Sequence, residues 1–361
     1  MRRQFPHKIK RIVVKVGSSM LASNHGGLDN KIIEELVNQI CSLVASGKEV
    51  ILVSSGAIAS GLAEMGLKVR PQDLSSLQAA ASIGQSILMQ RYNDYFKKNK
   101  VSCAQVLLTW EDFCQRQRYL NARNTVSKLL GYKIVPIINE NDAVSTDEIK
   151  FGDNDKLSAL VANLVEADLL ILLSDVDGLY RTKKDDIISV VEQLTDEIKK
   201  LAKGTDKKLI SRGGMISKLE AVEIATQAGI PCVIANGKTK DSLAKILDSQ
   251  DIGTLFLPKK DKLIARERWI AFGTKSKGKI IVDDGAREAL VKKGKSLLCP
   301  GVIDLDGKFT SGDMVSIVDK NHREFARGIC NYSSTELKNI KGCKGKEEVI
   351  HRDDLVITVK E

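Results

Sequence analysis

The segment IVVKVGSS, residues 12–19, joins a run of apolar residues to a turn of small polar ones. An apolar run with little alternation is typical of a parallel strand that is buried on both faces. Lys15 interrupts the run, and burying its ammonium is costly unless the group reaches water or an anion. The Gly17-Ser18-Ser19 turn offers backbone N–H groups beside it. The segment therefore predicts a cationic cradle for a phosphate, although a lysine at a sheet edge that extends into solvent would give the same pattern.

Apolar runs like this one alternate with amphipathic segments over the first 258 residues. Alternating strands and helices indicate βαβ units, and hence an α/β fold with a mostly parallel open sheet sandwiched by helices. Ligands in such folds bind at the carboxyl ends of the strands, so the loops that follow the strands are the first candidates for a site. The predicted strands cover residues 12–16, 50–53, 101–108, 134–138, 169–173 and 232–235, and the predicted helices include 29–45, 74–96 and 156–166.

The pattern changes in the basic stretch 259–278, which has weak periodicity and is typical of a linker. Beyond it, short apolar runs are separated by glycine, aspartate and asparagine turns, and one helix is predicted near residues 285–293. This pattern predicts a small β-rich domain. We therefore divide the chain into an α/β domain at 1–258, a linker at 259–278 and a β-rich domain at 279–361.

The composition narrows the class of protein. Hydrophobic residues make up 43% and charged residues 28%, as in soluble globular proteins, which excludes wholesale disorder. No stretch approaches the roughly 18 apolar residues that a membrane helix needs, so no membrane span is predicted. The seven cysteines are widely spaced without a C-x-x-C pair, which argues against a zinc cluster or disulfide framework and favours a cytoplasmic location. The net charge of +10 fits a nucleic-acid partner, anionic small substrates or nothing beyond solubility equally well.

Small and polar residues follow other predicted strands. Ser55-Gly56 ends the second apolar run and leads into a helix, whose N-terminus favours anions; an ordinary serine N-cap would give the same sequence. The clusters Asn139-Glu140-Asn141-Asp142 and Asp153-Asn154-Asp155 each exceed what a helix cap needs. Together they suit a zwitterionic ligand, with carboxylates for an ammonium group and amides for a carboxylate.

Two further segments resemble ligand-binding turns. Ser174-Asp175 follows the apolar run at 169–173. A glycine turn at 211–214 leads into a helix, in which Lys218 lies one turn from the N-terminus and can reach back toward a phosphate. Taken alone, a glycine turn and a helical lysine are weak signals.

Five motifs occur in order along the chain: VVKVGSS, SSGAIASG, INENDAV, FGDNDKLSALVA and GGMISK. With these motifs the chain resembles the glutamate 5-kinases of the amino acid kinase family, and the resemblance covers essentially the whole chain. The C-terminal part is similar to the PUA domain of many bacterial members. The resemblance implies ATP-dependent phosphorylation of the side-chain carboxylate of L-glutamate to L-glutamyl 5-phosphate, the first step of proline biosynthesis.

The resemblance also implies a role for each motif residue. Lys15 and Lys218 flank the phosphates, and Asp155 orients the two lysines. Mg²⁺ arrives with ATP, held by phosphate oxygens and water rather than by protein ligands. Arg212 departs from the family pattern, which has a small residue there, so its contact with the nucleotide is left open. Glutamate is bound by Ser55, Gly56, Asp142 and Asn154, and the nucleotide by Lys15, Gly17, Ser174, Asp175, Arg212, Gly213, Gly214, Met215, Ile216, Ser217 and Lys218.

The implied reaction needs no general base, because the attacking carboxylate, with a pKa of about 4.3, is already ionised at pH 7. The barrier lies in bringing it against an anionic triphosphate, so catalysis depends on positioning and on cationic stabilisation. Proline as a feedback inhibitor, a homo-oligomer and RNA binding by the PUA-like domain are further implications. Two alternatives stay open: another member of the amino acid kinase family, and an RNA-binding PUA protein with a degenerate kinase domain.

Overall fold

The chain separates into two compact units, residues 1–262 and 263–361. Most of the stretch predicted as a linker, 259–278, lies outside the described residues, so the limits of the domains remain a prediction. None of the described helices is long and apolar enough to span a membrane. The computed structural model describes residues 5, 8–23, 27–67, 69–145, 154–181, 186–203, 214–259, 270, 276–343 and 348–358.

The first unit is built on one sheet. Its strands are Arg11–Val16 (β1), Glu49–Ser54 (β2), Cys103–Leu108 (β3), Val135–Glu140 (β4), Leu169–Ser174 (β5), Val190–Val191 (β6), Cys232–Asn236 (β7) and Thr254–Phe256 (β8). They form an eight-stranded sheet in the order β3-β4-β2-β1-β5-β7-β8-β6. Neighbouring strands are parallel, except that β7 and β8 are antiparallel. The predicted α/β class with a mostly parallel sheet is confirmed.

Helices flank this sheet. Each predicted helix is present. The helix predicted at 156–166 lies two residues earlier, at 154–164, and it ends before Glu166, whose positive φ of 52° is not helical. The helices are Ser18–Leu21 (α1), Asn30–Ala45 (α2), Ala57–Glu64 (α3), Leu74–Lys98 (α4), Trp110–Cys114 (α5), Arg116–Gly131 (α6), Asn154–Leu164 (α7), Asp196–Lys203 (α8), Met215–Gln227 (α9) and Ser242–Leu247 (α10).

The six predicted strands are all present, with ends that shift by one or two residues. β4 extends beyond its apolar run to Glu140, so that the polar residues Asn139 and Glu140 belong to the strand and are buried. β6 and β8, with two and three residues, were not predicted because so short a strand carries no periodicity.

Helices α3 and α4 approach each other at two glycines. A Cβ at Gly84 would lie 1.8 Å from the carbonyl oxygen of Ala57, and one at Gly61 would lie 1.8 Å from that of Ala80. Neither position tolerates a side chain unless the helices separate. The contact therefore holds the N-terminus of α3 close to the middle of α4.

The second unit has its own sheet and core. Its elements are Gly278–Val282 (β9), Asp284–Lys293 (α11), Val302–Gly307 (β10), Met314–Val318 (β11), Glu324–Ile329 (β12), Ser334–Ile340 (α12) and Leu355–Ile357 (β13). The strands follow the order β10-β9-β11-β12-β13, with β9 and β11 parallel and the other neighbours antiparallel. Val315 and Ile317 on β11 are fully buried in its core. The predicted β-rich region and its helix near 285–293 are confirmed.

Candidate active site

Lys15 lies in the interior of the first sheet. β1 pairs with β2 on one side and with β5 on the other, where Lys15 is opposite Val53 and Leu172. The residue is only 4% exposed. The alternative of a solvent-facing lysine at a sheet edge is therefore wrong. Its ammonium instead forms an ion pair with the carboxylate of Asp155.

Asp155 contacts two ammonium groups at once. It is the second residue of α7 and is fully buried. Its Oδ1 pairs with Lys15, and its Oδ2 lies 3.4 Å from Nζ of Lys218. The Ser217 hydroxyl also donates to Oδ2, at 3.1 Å. Two buried cations beside one buried carboxylate leave a net positive charge, and a bound anion stabilises such a site.

The first turn of α9 carries most of the remaining candidates for nucleotide binding. Gly214 is the N-cap, and Lys218 lies one turn later and is 6% exposed. Arg212 and Gly213 lie outside the described residues, so the predictions for them stay untested. The other residues of this turn are Met215, which is buried, Ile216, which is exposed, and Ser217, which is half-buried.

Three further candidates lie at the ends of the neighbouring strands β1 and β5. Gly17 directly follows β1, Ser174 is the last residue of β5, and Asp175 follows it. A Cβ at Gly17 would lie 3.6 Å from Nζ of Lys15, which places this turn beside the lysine ammonium. Ser174 is buried, and its hydroxyl donates to Oδ1 of the exposed Asp175 at 3.1 Å. These three candidates thus lie at the carboxyl end of the sheet, on the same side as the lysine.

Gly56 is the N-cap of α3 and has a left-handed backbone, with φ 107°. Glycine adopts this conformation without strain. The alternative of an ordinary serine cap is wrong, because Ser55 precedes the cap position. The Ser55 hydroxyl instead accepts a hydrogen bond from Nδ2 of Asn154 at 3.0 Å.

The Asn154 amide connects the polar residues of two strand ends. Its Nδ2 donates to the carbonyl oxygen of Ser54 and to Oδ1 of Asn139, both at 2.8 Å. Asn139 in turn donates from Nδ2 to Oε1 of Gln85, at 2.8 Å. Asn139 and Asn154 are 2% and 8% exposed, so these amides depend on protein partners. Sequence reasoning missed Gln85, which lies in the segment QAAASIGQS (78–86) beside a second glutamine and several small residues and carries no signal of its own.

Asp142 lies in the wall of a cavity of about 690 Å³. The same wall includes Ala57 at the start of α3 and Gln85 on α4. The cavity therefore adjoins both the predicted glutamate-binding helix and the amide network. It offers a space next to Asp142 in which a small polar ligand fits.

Cys232 on β7 is a buried thiol that interacts electrostatically with Asp155 of this centre. Burial raises the pKa of this thiol well above its usual value, and the negative charge of Asp155 raises it further. Cys232 therefore stays protonated at neutral pH and does not act as a nucleophile.

The centre does not resemble a metal-binding cage. Within the ranges that the structure describes, no three histidine, cysteine, aspartate or glutamate side chains converge on one point. Two lysines around one carboxylate repel a free cation, but they fit a phosphate group that carries its own Mg²⁺.

Comparison with known families agrees with this geometry. The model of the amino acid kinase family matches residues 10–236, and the model of the PUA domain matches residues 278–352. Both matches fall on regions whose fold is described above.

Several relatives are similar over nearly their whole length. The glutamate 5-kinase of Thermoanaerobacter sp. (strain X514) is 47% identical, covering 96% of this chain and 97% of that protein. The glutamate 5-kinase of Geobacter sulfurreducens is 45% identical, covering 99% of this chain and 100% of that protein. Among solved structures, the UMP kinase of Bacillus anthracis is 15% identical with a TM-score of 0.47, covering 70% of this chain and 97% of that chain.

Proposed function

The chain belongs to the amino acid kinase family and carries a C-terminal PUA domain, and we propose that it transfers the γ-phosphoryl group of ATP to the side-chain carboxylate of L-glutamate. The product is L-glutamyl 5-phosphate, the first intermediate of proline biosynthesis. The buried centre of Lys15, Asp155 and Lys218 carries this proposal, because its net positive charge matches a phosphoryl group in transfer. The similarity to glutamate 5-kinases supports glutamate as the acceptor.

In the proposed reaction a carboxylate oxygen of glutamate attacks the γ-phosphorus while the bond from phosphorus to the bridging oxygen of ADP breaks. The attacking oxygen carries no proton at pH 7, because its pKa is about 4.3, so no base is needed. The two lysines offset the negative charge on the phosphoryl oxygens, and Asp155 holds both ammonium groups in place. Mg²⁺ enters with ATP and supplies further positive charge to its phosphates.

Glutamate is proposed to bind at Ser55, Gly56, Asp142 and Asn154. Because the N–H groups of Asn154 are engaged within the protein, its side-chain oxygen is the atom that accepts a hydrogen bond from the substrate ammonium. Asp142 supplies a carboxylate for the same ammonium. The first turn of α3, which follows Gly56, favours a substrate carboxylate.

ATP is proposed to lie across the ends of β1 and β5, beside Gly17, Ser174 and Asp175. The first turn of α9, with Arg212 and Gly213 before it, completes this side. Ligands of open α/β sheets bind at the carboxyl ends of the strands, which supports this placement.

A hydroxamate assay tests the proposed function, because hydroxylamine traps an acyl phosphate. We expect the full chain with ATP and Mg²⁺ to give glutamate-dependent hydroxamate and an equal amount of ADP. Aspartate, N-acetylglutamate and UMP are the competing substrates. ADP release with one of these and none with glutamate would assign the chain to another branch of the family. Absence of turnover with all of them, together with tRNA binding that persists at physiological salt, would favour the RNA-binding alternative.

Proline is proposed as a feedback inhibitor that competes with glutamate. The support is the position of Asp142, at the start of the polar connection to α7 and in the wall of the cavity. A proline titration at sub-saturating glutamate measures the effect, and unchanged activity up to millimolar proline would contradict it. We also propose a homo-oligomer, to be tested by analytical ultracentrifugation, and a cytoplasmic location, which the seven free cysteines favour.

The β-rich second unit is proposed to be unnecessary for the chemistry, because every described candidate residue lies in the first unit. Its PUA domain remains a candidate for RNA binding. A chain that ends after residue 278 should melt cooperatively and keep glutamate-dependent ADP release. A well-folded truncated chain without this activity would show that the second unit completes the active site.

A further inference from the structure

We propose that Gln85 is a positioning residue of the glutamate site, which acts by fixing the Asn139 amide and, through it, the amide of Asn154. The inference rests on the proposed function, in which Asn154 contacts glutamate. Gln85 lies on α4, 54 residues before Asn139 in the sequence. Its Oε1 accepts a hydrogen bond from Nδ2 of Asn139.

Two backbone groups determine which atom donates and which accepts in the hydrogen bonds that link the side-chain amides of Gln85, Asn139 and Asn154. The Glu140 N–H, which can only donate, lies 2.9 Å from the Asn139 side chain, so the atom facing it is the oxygen Oδ1. The other end of that amide, Nδ2, therefore faces Gln85, which must present its own oxygen. At the far end the Ser54 carbonyl can only accept, so Asn154 directs Nδ2 toward it. This arrangement leaves Oδ1 of Asn154 for the substrate ammonium.

Removing the acceptor on Gln85 would leave a buried donor without its partner. Asn139 is 2% exposed, so water cannot readily replace the lost bond. If the Asn139 amide rotated to find another partner, it would lose its contacts with the Glu140 N–H and with Asn154. The unpaired donor makes the present orientation of the Asn139 amide less stable, and its rotation would displace the Asn154 amide, although Gln85 itself need not touch glutamate.

A second residue of α4 supports the same amide from the other side. Tyr92 lies seven residues after Gln85, hence on nearly the same face of the helix. Its hydroxyl is fully buried and lies 2.8 Å from Oγ of Ser54, whose carbonyl accepts from Asn154. The face of α4 with Gln85 and Tyr92 thus holds the ends of β4 and β2, which present two of the three acceptors of the Asn154 amide, Asn139 Oδ1 and the Ser54 carbonyl.

The test compares Gln85→Met, which keeps the size and removes the acceptor, with Gln78→Met. Gln78 lies two turns earlier on α4, and its side chain makes no hydrogen bond with the residues that the structure describes. In the hydroxamate assay on the full chain, we expect Gln85→Met to raise the glutamate KM by at least about tenfold. The ATP KM and kcat should change by less than about threefold, and Gln78→Met should match the unmodified chain.

A double-mutant cycle separates positioning from a general loss of structure. If Gln85 acts through Asn139, then Gln85→Met adds nothing to the glutamate KM once Asn139→Ala is present. A glutamate KM that Gln85→Met leaves unchanged, or effects that multiply in the double variant, would overturn the proposal. Failure of the unmodified chain to form hydroxamate would instead refute the proposed function and, with it, the role of Gln85 in a glutamate site.

Gln85→Glu keeps the test decisive if Gln85→Met does not fold. A glutamate side chain retains an acceptor oxygen at the same place, so this variant should fold, with a lower melting temperature because its second oxygen replaces the buried Nε2 of Gln85. Its glutamate KM should stay within about threefold of the unmodified value, because the Asn139 bond persists. A tenfold increase in that variant would overturn the proposal as well.

Discussion

Replacing Lys218 by methionine should abolish most of the activity while leaving the protein folded. Nζ of Lys218 lies 3.4 Å from Oδ2 of Asp155, which at an effective dielectric constant of about 20 corresponds to an attraction of about 5 kcal/mol. The loss of stability should be smaller, because the buried lysine no longer has to be desolvated and Asp155 keeps its ion pair with Lys15. We expect the free energy of unfolding to fall by about 1–3 kcal/mol.

The effect on catalysis should be larger than the effect on folding. Losing one group that stabilises transition-state charge costs about 2.7–4 kcal/mol of barrier, which corresponds to a decrease in kcat of about 100- to 1,000-fold. The measurements are kcat from glutamate-dependent ADP release at saturating substrates, and the free energy of unfolding from urea melts. Ground-state binding of ATP should change less, because Lys15 and the first turn of α9 remain.

Lys156→Met is the matched control. Its ammonium pairs with Glu220 at 2.9 Å across the same two helices, α7 and α9, but the two side chains are 43% and 48% exposed. Such an exposed pair contributes about 0–1 kcal/mol, so both stability and kcat should stay close to those of the unmodified chain. If Lys218→Met melts cooperatively and keeps kcat within about threefold, the reasoning about Lys218 is refuted.

Three other changes test separate parts of the site. Asp142→Ala should raise the glutamate KM and leave the ATP KM nearly unchanged in steady-state kinetics, because Asp142 lies in the cavity wall near α3; an effect on ATP alone would move it to the nucleotide side. Gly84→Ala should lower the free energy of unfolding in urea melts by about 3 kcal/mol or more, because its Cβ would lie 1.8 Å from a carbonyl oxygen of α3; a neutral result would contradict that contact. Thiol labelling of the native protein at pH 8, followed by mass spectrometry, should modify the exposed Cys343 and spare Cys41. Burial raises the pKa of the Cys41 thiol to about 11, so little reactive thiolate is present at pH 8. Rapid labelling of Cys41 would contradict this expectation.

Local sequence pattern was sufficient for the six longer strands of the first unit and for the helices predicted at 29–45, 74–96 and 156–166, but not for the short strands β6 and β8. The β-branched run of β1, the amphipathic stretch of α2 and the small residues after β2 each carry their own signal, because burial on one or both faces constrains residue type segment by segment. A lysine within an apolar strand was also informative, since the cost of burying it must be met by a partner. Resemblance to a family then suggested which residues act together.

The partners of these residues were decided by the tertiary structure. Whether Lys15 reached solvent or a carboxylate depended on the position of β1 between β2 and β5, and periodicity does not encode the order of strands. Gln85 carried almost no signal, because its role comes from a contact with Asn139, which lies on a strand that follows α4 by many residues. A local pattern reports whether a segment is buried, whereas the identity of its neighbour depends on how distant segments pack together. The sequence alone therefore determined the longer strands, the main amphipathic helices and the polar strand ends, and packing decided which of those polar groups meet.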